Sequence, residues 1–174
     1  MTDRDADIAA GTQGVFLRPG EGLSVQNSVG GPLVLKVRGE DSAGALTALE
    51  STAAPGEGPP LHVHANEDEL ILVLDGTFRF RLEDQIHEAP AGAMMLVPRG
   101  ARHTWQNIGA EPGRLFVVFT PSGMEGFFER FSEHAGSDSA KDAFRRLGED
   151  VGMDVVGPPL ADSDPVETGP SAGR

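Results

Sequence analysis

The segment LHVHANEDE, residues 61–69, spends two of the chain's five histidines within three positions and follows them with a run of acidic and amide side chains. Alternate side chains of a β-strand share a face, so His62 and His64 project the same way with Cα atoms roughly 6.6 Å apart, near enough for two imidazoles to converge on one cation. Val63 points away. Glu69 follows His64 at an odd offset, which an unbroken strand would send to the opposite face. The intervening residues 65–68 have turn composition, and a turn there returns the carboxylate to the histidine side. A strand restarted at this point places Glu69, Ile71 and Val73 on one face. A third imidazole comes from PRGARHTWQN, residues 98–107, where Pro98 and Gly100 make a turn and His103, Trp105 and Asn107 share a strand face. Singly, a strand histidine is ordinarily a surface or hydrogen-bonded core residue, and Glu67-Asp68-Glu69 an ordinary solvated turn. Three imidazoles and a carboxylate together describe a mononuclear metal site with room for water or substrate, and the absence of cysteine leaves only nitrogen and oxygen ligands.

Positioning such a cluster requires a barrel or sandwich. The 174 residues suit one domain, with 39% hydrophobic content for its core. Between Gly14 and Thr120 short apolar or alternating runs are punctuated by Gly, Pro, Asn and Asp, as in all-β folds. Strands are expected at 14–17, 33–38, 45–52, 61–64, 69–74, 77–82, 93–97, 103–107 and 115–119, with Asp75-Gly76 as a hairpin turn. Ser122 and Glu125 have capping-box spacing ahead of Met124, Phe127, Phe128 and Phe131, which fall on one face of a helix. A second helix is expected over 139–147, with Gly148 as its stop. Both helices read as a cover over the β-unit. The resulting division is a disordered N-terminus (1–12), a β-barrel (13–121), a helical extension (122–157) and a disordered acidic tail (158–174).

Charge narrows the partners. With 14 basic and 27 acidic residues the net charge is −13, which repels nucleic acid and anionic membrane surfaces alike. The N-terminus has no basic and apolar leader pattern, and no apolar run approaches membrane-spanning length, so a cytoplasmic protein is expected.

The spacing of these residues resembles the cupin superfamily. The first cupin motif, G-x5-H-x-H-x4-E-x6-G, matches Gly56, His62, His64, Glu69 and Gly76, and the second, G-x5-P-x-G-x2-H-x3-N, matches Gly92, Pro98, Gly100, His103 and Asn107. The resemblance implies an all-β double-stranded β-helix, or jelly-roll barrel, with one or two C-terminal α-helices. It also implies one divalent transition metal ion (Fe, Mn, Ni, Co, Cu or Zn) held by His62, His64, Glu69 and His103. Over about residues 17–160 the sequence more loosely resembles bacterial single-domain cupins grouped with quercetin 2,3-dioxygenase-like proteins. Those proteins often carry aromatics just after the ligand glutamate, where this sequence has Leu70-Ile71-Leu72. The expected substrate pocket is lined by Ile71, Val73, Phe78, Phe80 and Trp105. His87 and His134 fall at no motif spacing and read as surface residues.

The leading functional expectation is a dioxygenase acting on a small enolic or phenolic molecule, flavonol-like or polyketide-like, with Glu69 as ligand and base. The first alternative is a non-redox metal-dependent isomerase, lyase or polyketide cyclase; the second is a binding module without turnover. The expected partner is a small molecule, and cupins of this size also allow a homodimer through sheet edges or terminal helices.

Overall fold

In the computed structural model, residues 14–26, 31–134 and 140–165 are described. Their elements run, in chain order, β1 (Leu23–Val25), β2 (Leu33–Val37), β3 (Thr47–Ala53), β4 (Pro60–His64), β5 (Asp68–Asp75), β6 (Thr77–Leu82), β7 (Gln85–Pro90), β8 (Met94–Val97), β9 (His103–Asn107), β10 (Gly113–Thr120), α1 (Met124–Ser132), α2 (Ala140–Glu149), β11 (Met153–Pro159) and α3 (Leu160–Ser163). One sheet has the order β1-β2-β3-β10-β5-β8 and the other β11-β4-β9-β6-β7. All ladders are antiparallel. This is the expected double-stranded β-helix.

Side-chain alternation decides which faces meet. On β5, Glu69, Ile71 and Val73 are buried, and on neighbouring β10 the residues paired with them, Phe119, Val117 and Leu115, are buried as well. Phe78, Phe80 and Trp105 bring the second sheet into the same core, and each such side chain contributes about 1.5–3 kcal/mol by leaving water. The helices extend this core through Met124, Phe127 and Phe131 of α1 and Ala143, Phe144 and Leu147 of α2.

Several expectations fail for physical reasons. Residues 14–17 form no strand: they find no sheet partner, and Phe16 is 82% exposed. The paired segment lies further on, at β1. The polar β7 has only Ala89 buried, so it lacks an apolar period and exists through its ladder with β6. Residues 153–159 form a strand instead of part of a helical extension, because β11 completes the second sheet beside β4. That strand and α3, anchored by buried Leu160, carry ordered chain past the expected tail boundary at 158. The capping box does not form: Gly123 is the N-cap of α1 and makes no side-chain cap. Glu125 instead accepts from the backbone N–H groups of Gly39 and Gly123 and from the Thr47 hydroxyl, tying the helix to β3. Nor does Gly148 stop α2, which runs to Glu149. A Cβ there would sit 2.7 Å from Met153 Cε and 2.8 Å from Met153 O, so glycine permits close approach of helix and β11. The expected N-terminus 1–12, the first residue of the expected second helix (Ser139) and residues 166–174 lie outside the described residues.

Candidate metal centre

Three of the four expected ligands come from one sheet and the fourth from the sheet facing it. Parity on β4 turns His62 and His64 inward while Val63 faces the other way, and β9 places His103 directly opposite His62 in the ladder. Glu69 reaches in from β5. The turn between β8 and β9 sets the entry of His103. Gly100 adopts φ +85°, a conformation costly for other residues, and donates its N–H to His64 O at 2.7 Å. Arg99 pins the same turn by a two-pronged contact with Asp68 (3.1 and 3.1 Å) at the start of β5. Asn107, at the far end of β9, holds the following loop by donating to Ala53 O and Glu111 O.

One ligand atom from each of His62, His64, Glu69 and His103 can be chosen so that all lie within 4.8 Å of one another, and all four residues are buried. Glu69 Oε2 is 2.6 Å from His103 Nε2 and 3.5 Å from His64 Nε2. His62 and His103 each point Nδ1 at a backbone carbonyl two residues back, Pro60 O at 2.8 Å and Ala101 O at 3.2 Å. Donation there leaves Nε2 as the nitrogen facing the centre. His64 has no such anchor, and both of its ring nitrogens lack a hydrogen-bond partner among the described residues. A buried imidazole with two unanswered nitrogens is costly, and a cation among these four residues would satisfy it.

Electrostatics separates the histidines. Burial, then His103 and His64 nearby, holds His62 well below the usual imidazole range. Burial, with His103 second, brings His64 down to about 3. Both are neutral near pH 7, the state a ligand needs. Burial works in the same direction on His103, yet the Glu69 carboxylate outweighs it and raises that imidazole above its ordinary value.

The residues around the centre differ partly from expectation. Its chamber has a volume of about 60 Å³ and is lined beyond the ligands mainly by apolar groups, among them Leu49, Trp105, Val117, Phe119 and Met124, with Ser51 as a further polar residue. Of the five expected pocket residues, Trp105 lines this chamber. Ile71, Val73, Phe78 and Phe80 are buried in the core but do not line it. His87 is exposed on β7, and His134 lies just beyond α1. Glu67 is the residue that sequence reasoning missed. It is 4% exposed, its Oε2 has no hydrogen-bond partner among the described residues, and that oxygen lies 3.9 Å from His64 Nδ1. Burial raises its carboxyl above the usual range. Its place in an acidic turn hid it, since its burial depends on distant segments such as the start of α1, where a Cβ on Gly123 would lie 3.5 Å from Glu67 Oε1.

Residues 49–119 match the family model described as the cupin domain. Over that stretch the chain is similar to a cupin domain. Its β3 to β10 span contains all four candidate ligands. Protein SchB of Streptomyces halstedii is 33% identical over 82 residues, which cover 46% of this chain and 59% of that protein. This chain therefore aligns with somewhat over half of its curated relative. Among solved structures, a predicted oxalate decarboxylase from Thermotoga maritima superposes with a TM-score of 0.56 at 18% identity, covering 61% of this chain and 98% of the other. An RmlC-like cupin from Shewanella frigidimarina gives 0.50 at 20% identity, covering 58% and 86%. KdgF from Halomonas sp. gives 0.50 at 17%, covering 54% and 81%. At these identities the likeness shows the cupin fold. No helix among the described residues is long and apolar enough to cross a membrane.

Proposed function

We propose that His62, His64, Glu69 and His103 hold one divalent transition metal ion and that the protein is a cupin dioxygenase acting on a small enolic or phenolic substrate. The supporting observation is the chamber and the cluster at its end: two neutral imidazoles and a carboxylate line it, a third imidazole is paired to that carboxylate, and the remaining walls are almost wholly apolar, with neither lysine nor arginine among them. Such walls suit the neutral hydroxyl-bearing edge of a ring or enol and dioxygen, and they offer no cationic side chain to a small dianion. When bound, the ion supplies Lewis acidity toward the substrate hydroxyl and, for a redox-active metal, access to dioxygen chemistry.

The chain's own groups supply the rest. Glu69 accepts the hydroxyl proton at its carboxylate, and His103, whose Nδ1 faces Ala101 O, keeps Nε2 for the ion. Trp105, Phe119 and Met124 keep water out of the chamber and present flat or flexible apolar surface to the substrate.

The test is elemental analysis of untagged protein beside His62→Ala, His103→Ala and Glu69→Gln, with oxygen uptake measured against flavonols, dihydroxyaromatics and 1,3-diketones. The two histidine variants should lose most of the metal, and Glu69→Gln should keep weaker binding without turnover. Undiminished metal in all three variants overturns the ligand assignment. Turnover that continues unchanged without oxygen replaces the dioxygenase with the Lewis-acid isomerase, lyase or cyclase reading.

A further inference from the structure

The chamber is too small for the substrate proposed for it. About 60 Å³ is the space of roughly two water molecules at liquid density, whereas a phenolic ring alone needs more. Directly beside it lies a second concavity of about 750 Å³, within the several-hundred-Å³ range of small-molecule sites. The partition between them is thin. Phe144 lines both spaces, and of two successive residues Pro59 faces the chamber while Pro60 faces the groove. The same Pro60 carbonyl receives His62 Nδ1. Phe144 stands edge-on to Phe127 and Phe131, with ring centroids 5.2 and 5.4 Å away.

The groove also departs from the charge of the rest of the molecule. In a chain of net charge −13, Lys141 and Arg145 line it, three residues before and one after Phe144 on α2. Their i, i+4 spacing puts them side by side on one helix face. Both are exposed, and neither has an ion-pair or side-chain hydrogen-bond partner among the described residues, whereas most described arginines, and Lys36, are paired. Glu57 and Asp162 line the groove too, so its lining carries two charges of each sign, and Glu57 accepts the Ala54 N–H at 2.7 Å. Val155, Val156 and Pro159 of β11 supply an apolar floor.

We infer that this groove is the substrate site: it holds the body of a planar aromatic enol or phenol that carries an anionic group, such as a carboxylate. The anion sits against Lys141 and Arg145, the rings lie on β11, and the hydroxyl-bearing edge passes Phe144 into the chamber. The inference rests on the metal-centre reading for what happens in the chamber, whereas binding in the groove is measurable without metal.

Two probes that differ only in charge test it, 1-anilinonaphthalene-8-sulfonate and its uncharged parent N-phenyl-1-naphthylamine. The full chain should bind one sulfonate probe saturably, with energy transfer from Trp105, the chain's single tryptophan. In a Lys141→Ala/Arg145→Ala double variant the sulfonate probe should weaken about tenfold and the neutral probe by less than about threefold. Because both side chains are exposed, the variant should fold as the wild type does. Metal content measured on the same preparations separates the two ideas: a wild type without metal sinks the centre and leaves the charge-selective result standing. Equal loss of both probes, no loss of either, or several probes per chain overturns the groove. So does sedimentation showing that a second copy of the chain occludes it.

Discussion

His64 makes a prediction whose size follows from the structure. Its imidazole titrates at about 3 in the folded, metal-free protein, chiefly because of burial, against an ordinary value of 6.5. A depressed histidine works against the fold in acid: below pH 6.5 the unfolded chain takes up a proton that the folded chain refuses. The stability associated with His64 is therefore intact above 6.5, declines as pH falls, and is fully lost below about 3. The whole interval corresponds to about 5 kcal/mol, and at pH 5 the loss is already about 2 kcal/mol. For a chain of this size, that is about 4–8 °C in Tm. The perturbation is His64→Gln in chelator-treated protein, and the assay is urea unfolding at pH 7.5 and pH 5. Wild type should lose about 2 kcal/mol more than the variant between the two conditions. His62, depressed in the same direction, and His103, raised and therefore gaining stability as pH falls, remain in both proteins and largely cancel in the comparison. Curves for the two proteins that run parallel within about 0.5 kcal/mol would refute the account of a neutral, buried His64.

Glu67 should act on the centre through His64. Glu67→Ala should weaken metal binding about 10–100-fold in a chelator competition, and Glu67→Gln, which keeps an acceptor, should recover part of it; wild-type affinity in both variants would show the 3.9 Å approach to be incidental. Phe131 is fully buried, stacked on Phe127 at 5.5 Å and edge-on to Phe144. Phe131→Ala should cost about 3–5 kcal/mol in denaturant unfolding, and a loss below about 1 kcal/mol would mean that the helical cover is not part of the cooperative core.

The four candidate ligands were legible because their placement is a matter of local parity. His62 and His64 share a face by alternation, and the turn at residues 65–68 that restores Glu69 is written in four consecutive residues. His103 could be added because a turn also announces its strand. Strands β5, β6 and β10 were legible for the same reason, because burial alternates along them. The edge of the second sheet was not. β7 is almost wholly exposed and β11 is interrupted by Gly157, Pro158 and Pro159, so neither carries an apolar period; both are strands because a neighbour supplies the ladder.

What the linear order of residues determined, then, is the chemistry of the cluster and the rhythm of the barrel around it, since both depend on neighbours two to five positions apart. Tertiary packing alone decided that Glu67 is dry, that the centre sits in a chamber of about 60 Å³, and that Phe144 of a distant helix stands between that chamber and a groove more than ten times larger. Burial and enclosure arise from surfaces that meet across the fold, and a sequence records only which side chains are available to make them.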